Sequence, residues 1–134
     1  MSQPPVVIVV DDDAGMSRAM ARMIEAGGMT AMLYGSAEAM LADAREADCI
    51  VIDVQLPGMD GFQLYETLAG RGSRVPVVFI SASEEAEARA RELEDPLVTF
   101  VAKPLSGRAL LETLKSVLDE ARGCAARPGG KRYL

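Results

Sequence analysis

Histidine is absent from all 134 residues. Without imidazole the chain cannot carry phosphohistidine, build a Ser-His-Asp or Cys-His pair, or hold zinc through a ring nitrogen. Any chemistry must run on carboxylates, hydroxyls and lysine. Cysteine is nearly as scarce: Cys49 opens an apolar run and Cys124 lies in a Gly/Ala/Arg-rich tail. This is neither a disulfide framework nor a metal pattern, and reads as one small buried hydrophobe and one exposed thiol. No apolar run approaches the roughly 18–20 residues that cross a bilayer. The start, Met1-Ser2-Gln3-Pro4-Pro5, has no basic segment, and the run behind it, Val6 to Val10, is too short for a secretory signal. The expectation is a cytoplasmic protein with no membrane contact. A dinucleotide-binding domain is excluded because no G-x-G-x-x-G loop follows the first apolar run.

What remains is an ordinary globular balance, 49% hydrophobic and 25% charged, with length for one domain. The net charge is −6, and the last fourteen residues hold Arg122, Arg127, Lys131 and Arg132 with no acid, leaving ten net negative charges on residues 1–120. An acidic body repels nucleic acid phosphates, so direct nucleic acid binding is not expected. Residues 1–121 read as the domain and 122–134 as a flexible basic tail.

Val6-Val7-Ile8-Val9-Val10 is a β-branched run without polar alternation, the pattern of a strand buried on both faces. A helix follows with Met16, Met20, Met23 and Ile24 on one side and Gly27-Gly28 as its stop. Met29 to Tyr34 reads as a second strand, and Ser36 as the N-cap of a helix burying Met40, Leu41 and Ala44. Cys49 to Ile52 is the third strand. Phe62, Leu64, Tyr65 and Leu68 mark a helix that stops near Gly70 or Gly72. The fourth strand spans Val75 to Ile80, with Pro76 tolerated near its start. Residues 84–94 are helical in propensity but hold mostly alanine and charge, with Glu85–Arg89 and Glu87–Arg91 at i,i+4 spacing. This helix has little to bury and is expected to be the loosest. Leu97 to Ala102 is the fifth strand, and Ser106 caps a last helix with Leu110, Leu111, Leu114, Val117 and Leu118 on one face. Strands alternating with helices predict an α/β doubly wound parallel sheet of five strands and five helices.

Ligands of such sheets sit beyond the carboxyl ends of the strands. There the first strand delivers Asp11, Asp12 and Asp13, the third Asp53, the fourth Ser81 and the fifth Lys103. Two readings stand. Each residue alone has an ordinary role: Asp and Ser cap helices and form turns, Asp13 is well placed as an N-cap, and a lysine is commonly a solvated charge. Together, converging carboxylates suit Mg²⁺, which takes one or two of them plus phosphate oxygens and waters. Lysine and serine can then hold phosphoryl oxygens while a free carboxylate acts as nucleophile.

The stretches Val9-Val10-Asp11-Asp12-Asp13, Ile52-Asp53-Val54-Gln55-Leu56-Pro57-Gly58-Met59-Asp60-Gly61, Val77-Val78-Phe79-Ile80-Ser81-Ala82 and Phe100-Val101-Ala102-Lys103-Pro104 resemble the receiver domains of bacterial two-component response regulators. They cover residues 6–120 in the family's order and spacing. Tyr34-Gly35-Ser36-Ala37-Glu38 further resembles receivers of the nitrogen-fixation transcription-regulator type. The resemblance implies a flavodoxin-like strand order 2-1-3-4-5. It implies that Asp53 accepts a phosphoryl group from a phosphohistidine on a sensor histidine kinase or histidine phosphotransfer protein. It assigns Asp12 to Mg²⁺ directly, Asp11 mainly through water, and Asp53 and the Gln55 backbone carbonyl as further ligands. Ser81 and Lys103 would hold the phosphoryl oxygens, Lys103-Pro104 would be cis, and Ser81 with Phe100 would form the switch. Gln55 and Ser83 would tune hydrolysis. Such a protein is not an enzyme in the ordinary sense, since it catalyses only its own phosphorylation and dephosphorylation.

Two departures stand out. The family's small-residue turn before the fifth strand is here Glu94-Asp95-Pro96-Leu97, at the usual output region. No output domain follows in this sequence, which reads either as a stand-alone regulator, the reading its start and tail favour, or as a piece of a larger protein; a homodimer face over residues 84–118 is an expectation of the first. The alternatives are an Asp-nucleophile phosphohydrolase of the haloacid dehalogenase kind, and a pseudo-receiver used only for protein binding. The first needs a second Asp two residues after the nucleophile, where Gln55 stands; the second would usually have lost an acid or the lysine.

Overall fold

The β-branched runs do form strands that are covered on both sides. The computed structural model describes residues 3–43 and 45–125, with side chains as far as Ala121. The strands are β1 (Val6–Val10), β2 (Thr30–Tyr34), β3 (Cys49–Asp53), β4 (Val77–Ser81) and β5 (Val98–Ala102). The helices are α1 (Ala14–Ala26), α2 (Ala37–Asp43), α3 (Gly61–Gly70), α4 (Glu84–Glu92) and α5 (Gly107–Ala125). All strand pairs are parallel, in the order β2-β1-β3-β4-β5. Successive β1 side chains point to opposite faces. Ile8 and Val10 join a cluster with α2, α3 and α4, while Val7 and Val9 join one with α1 and α5. This two-sided burial is why the strands show no polar alternation.

The helix starts follow the local chemistry. Asp13 caps α1, its Oδ1 accepting the Met16 N–H at 3.1 Å. Ser36 caps α2 through the Ala39 N–H (3.0 Å), and Ser106 caps α5 through the Ala109 N–H (3.1 Å). Asp60 and Gln63 form a reciprocal capping box at α3. Ser83, expected to tune hydrolysis, caps α4 by accepting the Ala86 N–H at 3.2 Å. Gly27 ends α1, and Gly28 follows at φ +85°.

Three strands start one or two residues later than their apolar runs predict. In β4 the reason is Pro76, which has no N–H for the ladder. Before β5, Leu97 is held in a turn by Asp95, whose Oδ1 accepts its N–H at 2.9 Å. α5 runs to Ala125, four residues into the stretch expected as tail. The rest of that tail, and Ala44, lie outside the described residues.

α4 buries only Ala86 and Ala90, with Leu93 partly covered. One of its two expected charge pairs forms, Arg91 to Glu87 at 2.5 Å. Arg89 goes elsewhere: its guanidinium lies 4.3 Å from the centroid of the buried Phe62 ring. A cation over a ring face gains about 0.5–1 kcal/mol at exposed sites, comparable to the surface pair it replaces. The exit from α4 is equally particular. Glu94 has φ +48°, a conformation that costs a residue with a Cβ about 1–2 kcal/mol. Asp95 compensates by accepting the Tyr65 hydroxyl at 2.5 Å, which ties the turn to α3. Glu94→Gly is expected to stabilise the fold by about 0.5–1 kcal/mol, because the relieved strain exceeds glycine's added chain entropy. Calorimetry checks this, and a lower melting temperature would show the left-handed turn to be unstrained.

Candidate functional site

β1 and β3 are neighbours, yet the chain leaves them on opposite sides of the sheet, through α1 and α3. Their carboxyl ends therefore form the open crevice of the sheet. Asp53 is the last residue of β3 and only 6% exposed. Its Oδ1 accepts the Gln55 N–H at 3.0 Å, and its Oδ2 meets Lys103 Nζ at 3.1 Å. Lys103 arrives there from 50 residues away because its own N–H is paired to the Ser81 carbonyl (2.9 Å) at the end of β4. The Lys103-Pro104 bond is cis, as expected.

Asp11 follows β1 directly and is 3% exposed; its Oδ1 accepts the Asp13 N–H at 2.8 Å. Asp12 is exposed. One carboxylate oxygen each from Asp11, Asp12 and Asp53 lies within 4.8 Å of the others. Burial pushes the Asp11 carboxyl above its ordinary value of 3.8; the Asp13 N–H and Lys103 oppose the shift, while Asp53 and Asp12 add to it. Three carboxylates face one ammonium, an excess that a hard divalent cation would neutralise. The donor set is all oxygen, with one exposed member leaving room for water, and fits Mg²⁺.

Gly61 explains how the acid is framed. A Cβ there would lie 2.8 Å from the Val54 Cα and 2.9 Å from the Asp53 carbonyl oxygen. Only glycine lets α3 begin against the end of β3, where the Gly61 N–H also bonds the Val54 carbonyl (3.0 Å). The Ser81 hydroxyl, 1% exposed, accepts the Ser83 N–H at 3.0 Å rather than reaching into the carboxylate cluster. Since Ser83 also caps α4, Ser81 is one hydrogen bond from the start of that helix. The signal for this cap, Ser83 followed by Glu84 and Glu85, was present in the sequence. Phe100 is half-buried and pairs in register with Phe79, which packs 4.8 Å from Phe62 and edge-on to Tyr65 at 5.8 Å.

Residues 7–115 match the family model of the response regulator receiver domain. The chain belongs to this family. Nodulation protein W of Bradyrhizobium diazoefficiens is 28% identical over 123 residues, covering 90% of this chain and 54% of that protein. The C4-dicarboxylate transport transcriptional regulatory protein of Rhizobium meliloti is 27% identical over 124 residues, 91% of this chain and 27% of the relative. The solved structure of a response regulator receiver protein from Burkholderia phymatum has 35% identity and a TM-score of 0.71, with 86% and 95% of the two chains covered. This receiver thus spans about half or less of the curated relatives it matches. One of these is named a transcriptional regulator, so the expectation of no direct nucleic acid binding gains no support from them. Among the described residues no helix of the receiver is long and apolar enough to cross a membrane.

Proposed function

We propose that this receiver accepts a phosphoryl group on Asp53 from a phosphohistidine of a sensor histidine kinase or histidine phosphotransfer protein, with Mg²⁺ bound, and switches protein contacts in response. The observation that supports this most is the Lys103–Asp53 ion pair at 3.1 Å beside the Asp11/Asp12 pair, with Asp53 held at its Oδ1. Bound Mg²⁺, held by Asp12, Asp53, the Gln55 carbonyl and, through water, Asp11, would neutralise phosphoryl oxygens. An Asp53 oxygen forms the new P–O bond as the donor's P–N bond breaks and its electron pair returns to the imidazole. Lys103 follows the transferred group as a point charge, and the Ser81 hydroxyl turns from the Ser83 N–H to donate to a phosphoryl oxygen. The protein turns over no external substrate; it catalyses its own phosphorylation and dephosphorylation, in the cytoplasm.

Moving Ser81 loosens the hydrogen bond that joins it to the α4 cap, and Phe100 fills the vacated space. This is a local charge change biasing a two-state element. The signal leaves through α4, β5 and α5. In a stand-alone regulator that face, residues 84–118, meets a partner or a second copy; in a longer chain it meets the adjoining domain. The test is beryllofluoride plus Mg²⁺ followed by amide exchange. Changes are expected mainly in residues 81–105, and Phe100→Ala should keep phosphorylation but blunt them. Changes confined to the loops around Asp12 and Asp53 would make the chain a phosphate sink instead of a relay.

A further inference from the structure

The carbonyl proposed above as a metal ligand, that of Gln55, is a backbone group and has no side-chain torsion with which to find an ion. Its position is that of the loop from Val54 to Asp60. One end of that loop is held at Asp53 by the Gln55 N–H, and the other by Gly61 and the Asp60/Gln63 capping box. Between them Leu56 is buried, but Pro57 and Gly58 are exposed. A tether from another element reaches this stretch. Glu38, in the first turn of α2, accepts the Met59 N–H on its Oε2 at 3.2 Å across 21 residues of sequence. Gly58 makes the approach possible: it has φ +74°, and a Cβ there would stand 2.7 Å from the same oxygen.

We infer that Glu38 is a positioning residue for the metal site. Its carboxylate fastens the Gly58-Met59 turn to α2, so that the preceding carbonyl of Gln55 stands with the oxygens of Asp11, Asp12 and Asp53. The inference rests on the Mg²⁺ reading proposed above. It also gives the resemblance at Tyr34-Gly35-Ser36-Ala37-Glu38 a physical content: Ser36 starts the helix and Glu38, two residues on, reaches the loop.

The test is an MgCl₂ titration followed by amide NMR shifts at fixed ionic strength, for wild type, Glu38→Ala and Glu38→Gln. Glu38→Ala is expected to weaken Mg²⁺ binding about three- to tenfold, the net worth of one ordinary hydrogen bond. Glu38→Gln loses the charge but keeps an oxygen acceptor, and should stay within about twofold of wild type. The Met59 amide should exchange faster in Glu38→Ala and normally in Glu38→Gln. Equal affinities in wild type and Glu38→Ala overturn the inference. So does a Glu38→Gln as weak as Glu38→Ala, which would make the effect one of charge. Wild-type protein without Mg²⁺-dependent shifts overturns the metal reading itself, and the role of Glu38 with it.

Discussion

Acetyl phosphate and Mg²⁺ are expected to add one acid-labile phosphoryl group to the wild-type chain and none to Asp53→Ala. Asp53 combines what a nucleophile needs: one oxygen fixed by the Gln55 N–H, the other beside a cation, and a position at an open strand end. Asp11 is as well buried but is held by the Asp13 N–H, and is pushed toward its neutral form first by burial. Lys103→Ala keeps the nucleophile and loses the charge that follows the phosphoryl oxygens, and should slow labelling about 10²–10³-fold, the usual effect of removing one preorganised donor. Intact-mass spectrometry over a time course separates the two variants. Labelling of Asp53→Ala at the wild-type level would move the nucleophile elsewhere. Labelling of Lys103→Ala at the wild-type rate would make the lysine a structural partner only.

The second large effect concerns the fold without metal. Asp11, Asp12 and Asp53 crowd three carboxylates against one ammonium, which strains the metal-free state. Asp11→Asn keeps an oxygen for the Asp13 N–H and removes one buried charge. In EDTA at pH 7 it should gain about 1 kcal/mol, roughly 3–5 °C in melting temperature for a domain of this size. The pH dependence has a defined sign. Because the native Asp11 carboxyl titrates above 3.8, the native state holds that proton more tightly than the unfolded chain. Its contribution is present in full below pH 3.8 and is lost as pH rises through the raised value. Asp11→Asn should therefore flatten the fall in metal-free stability above pH 3.8. Millimolar Mg²⁺ should raise the wild-type melting temperature, and that of the mutant by less, since only the native state presents the site. Identical wild-type melting curves with and without Mg²⁺ would argue against a metal site.

The amino-acid sequence by itself determined the elements and their polarity. Runs such as Val6–Val10 and Cys49–Ile52 are strands because β-branched residues suit a pleat covered on both faces. Asp13, Ser36 and Ser106 start helices because a cap acts over three residues, a distance that sequence spacing expresses directly. The polar residues at four strand ends were equally legible, and resemblance gave them their order as a site. What spacing leaves undetermined is which distant groups meet. Lys103 reaches Asp53 only because strand order places β4 and β5 to one side of β3. Arg89 had a partner by spacing in Glu85, but the packing of α4 on α3 set the Phe62 ring beneath it. Glu38 carries no local sign that it will hold Met59, and Glu94 none that it will occupy a left-handed turn where the family has small residues. These contacts join elements far apart in sequence. Their geometry is set by how helices settle on a twisted sheet, after local preference has already been spent on forming the helices and strands themselves.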